Sequence, residues 1–316
     1  MNYKISRCSV SGYKIIRLEN SLGEFAEILL LGGTVYRLGF LNNKKITDIL
    51  FYDEPGEIKP NLLFRGRMLF PFHDRIPGGK YCFGGREYRL PVNDPETGSA
   101  IHGLVYNQEF SIADMQTHCF CAELVLEYYL EASAGYPFKM HLKIKYRLTK
   151  NRLIVFWKIK NTGTGTAPFT LGWHPYFKAD EKIDNAELLC PSKYYAETDQ
   201  KALPTGKIIS TRNTGYDFSA PVKIAGRELD LPFTAPGSDI RLFLKDRFIR
   251  IRQKRNFFRW VQIFIPPDRE SIALEPVSSP PNVFNLPALG LYILQPGKTI
   301  KAWAEVCIKK LSIFSK

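Results

Sequence analysis

Five ionisable side chains lie beside or within apolar runs, in local settings that suit proton transfer. They are Arg75, His102, His174, Asp230 and Glu275. Imidazole and carboxyl groups are the usual proton donors and acceptors of enzymes, and burial among apolar residues shifts their pKa values. These residue types indicate a site for acid–base chemistry if the fold brings them together.

The stretch from Met68 to Gly103 carries two of these residues. An apolar run ends at Phe72, and three consecutive ionisable residues follow it, ending with Arg75. Glycine and proline residues then break any regular element, and a polar loop leads to His102. We therefore expect Arg75 and His102 at element ends or in loops, where binding and catalytic groups are common.

The other three residues each have a structural alternative. His174 follows Trp173 and precedes a proline, and a single histidine among aromatic residues is more often a hydrogen-bonded structural residue than a functional one. Asp230, in an apolar run, would more often cap a turn. Glu275 ends an apolar strand, so its carboxylate must find a partner or face a cleft.

Composition places the chain among globular proteins. It has 316 residues, of which 45% are apolar, and 44 Lys and Arg against 31 Asp and Glu give a net charge of 44 − 31 = +13. Within the basic stretch 241–259, basic and apolar residues alternate as in a strand with one solvated side. No nucleic-acid-binding motif is present. We therefore expect no nucleic-acid partner.

Several other classes of protein are disfavoured by what the sequence lacks. The first residues do not resemble a secretory signal, and no apolar run is long enough to span a bilayer. The six cysteines form no zinc or disulfide framework, and no phosphate-binding loop is found. We expect a cytoplasmic protein with reduced thiols, no membrane contact, no metal and no cofactor.

The elements that must position these residues are β-strands. Alternation of apolar and polar residues is clearest from Lys139 to Leu148, and a turn at 150–151 leads into a second alternating run. A further strand is expected from Cys119 to Glu131, and no helical pattern exceeds about three turns. The prediction is an all-β fold, a large antiparallel β-sandwich that forms one domain over residues 1–316.

Four segments together resemble the aldose 1-epimerase (galactose mutarotase) family. In chain order they read RMLFPFHDRIPGGKYCFGGREYRL…IHG, LGWHPYF, ELDLPF and ALEPVSSPPNVFN, and the resemblance runs from about Phe25 to Lys309. It implies the large β-supersandwich of the galactose mutarotases, with a cleft on one sheet that binds a hexose. It also implies conversion between α and β anomers without metal or organic cofactor.

The resemblance assigns the proton-transfer roles to three residues. Glu275 matches the general base that takes the proton of the anomeric hydroxyl. His174 matches the general acid that protonates the ring oxygen, so that the ring opens and recloses on the other face. His102 matches a second active-site histidine. The reaction needs one proton removed and one delivered, so a glutamate and a histidine suffice if the glutamate is ionised and the histidine is protonated near neutral pH.

The resemblance also implies substrate-holding residues. Arg75 and Asp230 match residues that hydrogen-bond the sugar hydroxyls. Asp74 stands where the family usually has asparagine, and an acid there would pair with Arg75 and weaken its hold on a hydroxyl. Trp173, with the aromatic residues at 176–177, is expected to offer an apolar face to the sugar, although core packing is the alternative.

The predicted function is thus that of an aldose 1-epimerase for a free hexose such as glucose or galactose. We expect a monomer or weak dimer, with a small-molecule sugar as its partner. Three alternatives stay open. One is a hexose-phosphate 1-epimerase, which the positive charge would suit. Another is a carbohydrate-binding protein without turnover. The third is a glycoside hydrolase that uses Asp230 and Glu275.

Overall fold

β-Strands form nearly all the regular structure of the computed structural model, which describes residues 1–235 and 239–311. Two single-turn 3-10 helices, Ile183–Asn185 and Pro287–Leu289, are the only helical elements in those ranges, and none of the described helices could cross a membrane. The strands are β1 (Tyr3–Val10), β2 (Tyr13–Asn20), β3 (Phe25–Leu29), β4 (Thr34–Asn42), β5 (Lys45–Asp48), β6 (Met68–Leu69), β7 (Arg75–Pro77), β8 (Lys80–Phe83), β9 (Arg86–Arg89), β10 (Ser99–Ile101), β11 (Ser111–His118), β12 (Cys121–Leu130), β13 (Met140–Thr149), β14 (Arg152–Asn161), β15 (Ala167–Phe169), β16 (Gly172–Trp173), β17 (Tyr176–Lys178), β18 (Glu187–Cys190), β19 (Tyr194–Thr198), β20 (Pro204–Ser210), β21 (Phe218–Lys223), β22 (Asp230–Thr234), β23 (Ile240–Phe243), β24 (Arg247–Gln253), β25 (Trp260–Phe264), β26 (Ser271–Val277), β27 (Tyr292–Leu294) and β28 (Thr299–Lys310).

Two large antiparallel sheets enclose the main core. The nine-stranded sheet has the order β11-β12-β13-β14-β28-β24-β23-β18-β21. The eight-stranded sheet runs β20-β19-β22-β25-β26-β16-β6, and β17 also pairs with β26. Side chains of both sheets belong to one buried apolar cluster, in which Trp157 of β14 packs against Trp173 of β16. The predicted all-β sandwich is confirmed.

The alternating pattern correctly predicted β13 and β14 of the nine-stranded sheet. Along β13 every second residue is buried, from Met140 to Leu148, and the turn at 150–151 leads into β14 as expected. The strand expected from Cys119 was wrong at its start, since His118 pairs with Cys121 and the two residues between them form the hairpin turn. That turn lacks the glycine, asparagine or proline that usually marks one.

Three apolar segments converge where the eight-stranded sheet carries its polar residues. Gly172 of β16 pairs with Leu69 of β6 on one side and with Val277 of β26 on the other. A Cβ atom at Gly172 would lie 3.0 Å from the Cβ of His73, so the close approach requires glycine. The three strands therefore deliver three different parts of the chain to one place.

A short ladder joins the two ends of the stretch that contains Arg75 and His102. Strand β7 begins with Arg75, which pairs with Ile101, the last residue of β10, so His102 follows directly. The N–H of His102 donates to the carbonyl oxygen of Asp74 at 3.2 Å. Gly103 adopts a φ of +85° where a Cβ would lie 2.3 Å from the carbonyl oxygen of Phe70. Arg75 and His102 lie at element ends, as predicted.

Candidate active site

The converging strands form the floor of an open cleft of about 670 Å³. The cleft is lined by six of the seven residues that the sequence singled out: Asp74, Arg75, His102, His174, Asp230 and Glu275. They come from separate parts of the chain, which the β7–β10 ladder and the pairings within the eight-stranded sheet bring together.

Glu275 and His174 form the centre of the floor. Oε1 of Glu275 lies 3.5 Å from Nε2 of His174, and both residues are buried. The imidazole ring stacks on the ring of Tyr176, with centroids 4.8 Å apart and planes 6° from parallel. At this distance a proton can move between Glu275 and His174, either after the two side chains approach slightly or through one small bridging group.

His102 is oriented by the backbone beside it. Its Nδ1 accepts a hydrogen bond from the N–H of Asp74 at 3.2 Å, so the neutral ring carries its hydrogen on Nε2. Phe64 contacts the ring edge-on at 4.4 Å between centroids, and the ring of His174 lies 5.2 Å away. His102 thus presents a donor to the cleft next to the Glu275–His174 pair.

Arg75 is shared between two carboxylates. Its Nη1 lies 3.3 Å from Oδ1 of Asp74, and its Nε donates to Oδ2 of Asp94 at 3.2 Å. The predicted pairing with Asp74 is therefore present. Nη2 makes no hydrogen bond to the described part of the chain, so one donor group remains for a ligand.

Asp230 is coupled to a residue that sequence reasoning missed. Nε2 of Gln262 donates to Oδ1 of Asp230 at 2.6 Å, and Gln262 faces Glu275 across the β25–β26 ladder. The Oε1 atom of Gln262 is buried and finds no donor among the described residues. The available signal was one polar side chain in the apolar strand WVQIF, which needs a partner when it is buried.

Trp173 does not line the cleft, so its expected role in sugar binding is not supported. Its side chain is fully buried and its ring lies 6.4 Å from that of Trp157 in the core between the sheets. Alternation explains the difference, because adjacent residues in a strand point to opposite faces. The aromatic faces in the cleft belong to Phe64, Tyr106, Tyr176 and Phe264.

Burial sets the protonation of the central pair. It raises the pKa of Glu275 well above its usual value, and the nearby Asp74 and Asp230 carboxylates raise it further. Burial also lowers the pKa of His174 to about 3 and that of His102 well below its usual value. In the cleft, burial therefore disfavours the ionised glutamate and the protonated histidine that the reaction would use, because both charged forms lack water.

Asp74 is also affected by burial. Its pKa is raised to about 6, mainly by loss of water and also by Asp230, although the positive charge of Arg75 acts in the opposite direction. Burial raises the pKa of Asp230 too, again against the pull of Arg75. The single cation Arg75 thus lowers the pKa values of Asp74, Asp230 and Glu275 against the effect of their burial.

Comparison with known proteins gives consistent results. The family model described as aldose 1-epimerase matches residues 14–307. The uncharacterized protein YihR of Escherichia coli strain K12 is 28% identical over 239 residues, which cover 74% of this chain and 75% of that protein. The galactose mutarotase of Mus musculus is 24% identical over 205 residues, or 63% of this chain and 58% of that protein.

Solved structures share the fold. A galactose mutarotase-like protein from Clostridium acetobutylicum superposes with a TM-score of 0.88 at 19% identity, covering 98% of this chain and 99% of that one. The galactose 1-epimerase of Lactobacillus acidophilus gives a TM-score of 0.83 at 17% identity, with the same coverage of both chains. At such identities the likeness concerns the arrangement of the strands.

Proposed function

Because the chain belongs to the aldose 1-epimerase family, we propose that it interconverts the α and β anomers of a free hexose such as glucose or galactose. The observation that carries the proposal is the buried pair of Glu275 and His174, 3.5 Å apart on the floor of a cleft lined with hydrogen-bonding groups. Anomer exchange needs one base and one acid, and this pair supplies both.

The reaction proceeds by ring opening. Glu275 takes the proton of the anomeric hydroxyl while His174 gives a proton to the ring oxygen, and the bond between the anomeric carbon and the ring oxygen breaks. Rotation about the bond between the first two carbons turns the aldehyde over. The two groups then reverse their roles, so the ring closes on the opposite face and no proton is gained or lost overall.

The productive protonation state has to form from the resting one. Burial favours the neutral forms of Glu275 and His174, so the carboxylate can act as the base once a proton has moved from Glu275 to His174. The separation of 3.5 Å lets a hydroxyl of the substrate relay it. The transfer adds to the barrier, but general acid–base catalysis of roughly 10²–10⁴-fold is enough for a reaction that already proceeds in water.

The remaining polar groups hold the sugar. Nη2 of Arg75 and Nε2 of His102 have no partner among the described residues and are free for hydroxyls. Tyr176 fixes the plane of the catalytic imidazole by stacking on it. Because the hydroxyls of a hexose point in several directions, such convergent donors and acceptors fix its pose.

The charge of the cleft argues against a hexose phosphate. Arg75 is the only lysine or arginine among the described residues that line it, and it already pairs with Asp74 and Asp94. The lining contains five acidic side chains: Asp74, Asp94, Glu96, Asp230 and Glu275. A phosphate group would meet more negative than positive charge, so an uncharged aldose is the better substrate.

The test is the rate of anomer equilibration, followed by polarimetry or NMR of freshly dissolved α-glucose and α-galactose. We expect acceleration by the parent protein and loss of 10²–10⁴-fold of it in Glu275→Gln and in His174→Asn, because each removes one proton-transfer group. His141→Asn is the matched control, since His141 pairs with Glu127 on the outer face of the nine-stranded sheet.

Three outcomes would overturn the proposal. Equal rates in the parent and in both cleft variants would remove the assigned mechanism. Acceleration of glucose 6-phosphate alone would favour the phosphorylated substrate, and saturable binding of glucose without acceleration would indicate a binding protein.

A further inference from the structure

A cluster of arginines lies on the outer face of the nine-stranded sheet, and none of its members lines the cleft. Arg152 of β14 and Arg250 of β24 lie on either side of Cys307 in β28, which pairs with both. Arg252, two residues further along β24, faces Glu305 of β28. Three adjacent strands thus bring three guanidinium groups around one carboxylate.

Glu305 does not satisfy these arginines. Its Oε2 lies 3.3 Å from Nη1 of Arg152. Its Oε1 lies 3.6 Å from Nη2 of Arg250 and 3.8 Å from Nη1 of Arg252. Hydrogen bonds between charged groups are shorter, about 2.7–2.9 Å, and none of the three guanidinium groups donates one to an oxygen atom of the described residues. The carboxylate therefore lies at the centre of the cluster without closing on any arginine.

Two buried atoms show the same lack of partners. Oε1 of Glu305 and Nε of Arg250 have no hydrogen-bond partner within the described ranges, although the Glu305 side chain is only 6% exposed. Buried polar atoms are normally paired, and an exception needs an explanation such as a ligand. A bound anion would supply acceptors to the arginines.

The cluster also has more positive than negative charge. Arg241 of β23 is directly opposite Arg250, and its own ion pair is with Asp239. The four arginines and the two carboxylates of this region leave a charge of 4 − 2 = +2. Like charges directly opposite each other destabilise a sheet, and an anion bound between them would offset that effect.

The shape of the cluster suits a small oxyanion. Guanidinium groups present pairs of N–H groups that match two oxygens of a phosphate or sulfate. Arg152 and Arg250 are two strand spacings apart, about 10 Å between backbones, so their side chains can close on one ion from both sides. The side chains of Arg152 and Arg252 are each 42% exposed, so an ion can reach them from solvent.

We propose that Arg152, Arg250 and Arg252 bind a tetrahedral oxyanion, either free phosphate or sulfate or the phosphate group of a small ligand. The anion accepts from the N–H groups that Glu305 leaves unused. The site lies on the sheet opposite the one that carries the cleft, and it does not depend on the proposed function.

The experiment titrates the full-length protein with inorganic phosphate, sulfate and glucose 6-phosphate in a calorimeter, at constant ionic strength set with chloride. We expect one saturable site. Arg152→Gln and Arg252→Gln should each raise Kd about tenfold, because each removes a charged hydrogen bond. Glu305→Gln should lower Kd about tenfold, since it removes a repelling charge and keeps the shape of the side chain. Arg7→Gln is the matched control, because it changes the charge equally at an exposed position of β1.

Several results would overturn the site. Equal losses in Arg7→Gln and Arg152→Gln would show attraction by the net charge alone. A loss of binding in Arg75→Gln would place the anion in the cleft, where Arg75 is the only cation among the described lining residues. An unchanged Kd in Glu305→Gln would mean that this carboxylate does not compete with the anion. If Glu305→Gln does not fold, the arginine variants decide.

The three ligands distinguish the source of the anion. A lower Kd for glucose 6-phosphate than for inorganic phosphate would support the site and identify a phosphate ester as its ligand. Equal Kd values for phosphate, sulfate and the ester would support a site for the free ion. Absence of saturable binding by all three would overturn the inference and leave the proposed function untouched.

Discussion

At the scale of single residues, Asp74 has the largest influence on the site without being a proton-transfer group. It accepts from the N–H of Arg75 at 2.7 Å and pairs with its guanidinium, and its negative charge is one of the causes that raise the pKa of Glu275. One carboxylate therefore pairs with Arg75, the residue proposed to hold the sugar, and makes Glu275, the proposed base, harder to ionise.

This position gives a pH prediction. Only ionised Glu275 acts as the base, so kcat/KM rises with pH through the pKa of Glu275, which burial and Asp74 have raised. Asp74→Asn removes one negative charge, lowers that pKa, and should move the acid limb of the profile of kcat/KM against pH to lower pH. The difference from the parent should be seen above about pH 6, because below its own pKa of about 6 the parent's Asp74 is itself neutral and the substitution removes no charge.

Asp94→Asn is the matched control for this prediction. It also releases Arg75 from an ion pair, but Asp94 is not among the groups that shift the pKa of Glu275. We expect its acid limb to stay where the parent has it. An unmoved limb in Asp74→Asn, or an equal shift in both variants, would contradict the assigned electrostatics.

Residue-level prediction from the sequence succeeded where a local setting was unusual, and it failed where the answer depended on strand pairing. Glu275 and His174 stand out in their own segments and lie together as expected. Gln262 belongs to the site only because it faces Glu275 across the β25–β26 ladder. Trp173 does not contact the cleft, because its side of the strand faces the core. Protonation could not be predicted, since it depends on burial at the meeting point of separate segments.

At the scale of elements, the nine-stranded sheet carries a row of like charges. Lys143 of β13 is directly opposite Lys158 of β14, which is directly opposite Lys301 of β28. Lys143 pairs with Glu127, but Lys158 has no ion pair with any residue in the described ranges. Like charges directly opposite each other destabilise a sheet, so Lys158 lies in the least favourable position of the row.

Lys158→Glu should therefore stabilise the protein. The new carboxylate would face a lysine on each side, and we expect the free energy of unfolding to rise by about 0.5–1 kcal/mol at low salt. Urea unfolding measures this, and the gain should shrink in high salt because exposed pairs are screened. Lys160→Glu is the control, since Lys160 faces His141 and Thr299. A destabilised Lys158→Glu variant would show that the row is not under repulsion.

Strands with one solvated face were predictable, and the strands that build the site were less so. Alternation identified β13 and β14 because their two faces differ in burial. All seven residues of β26 are buried, and its sequence SIALEPV shows no apolar–polar alternation that would give a register. Strands β6 and β16 have two residues each, too few for any pattern, and their place follows from tertiary pairing alone.

At the scale of the whole molecule, the net charge of +13 and the charge of the cleft have opposite signs. The basic residues lie on strands such as β13 and β24, where polar and apolar side chains alternate, whereas five acids line the cleft. The overall charge thus does not describe the site, and the phosphorylated substrate that it suggested loses its main support.

The five-stranded sheet β1–β5 is tied to the rest of the chain by a buried carboxylate. Glu24 has no exposed surface, and its Oε2 accepts the N–H of Asn151 at 3.0 Å, in the turn between β13 and β14. Oε1 accepts the N–H of Leu41 at 3.3 Å, within the five-stranded sheet. Because one side chain satisfies groups of both sheets, we propose that residues 1–316 unfold as one domain.

Cooperative unfolding can be checked with two signals. The four tryptophans, Trp157, Trp173, Trp260 and Trp303, lie in the two large sheets, whereas far-UV circular dichroism reports on every strand. We expect the fluorescence and dichroism transitions in urea to coincide, as two-state unfolding requires.

Glu24→Ala should lower the stability reported by both signals together, by about 3 kcal/mol, since buried N–H groups lose their acceptor. Glu19→Ala, which removes a partly exposed partner of Arg17, should cost less than about 1 kcal/mol. Loss of dichroism before fluorescence would instead mean that the five-stranded sheet melts independently, and the single domain would have to be divided there.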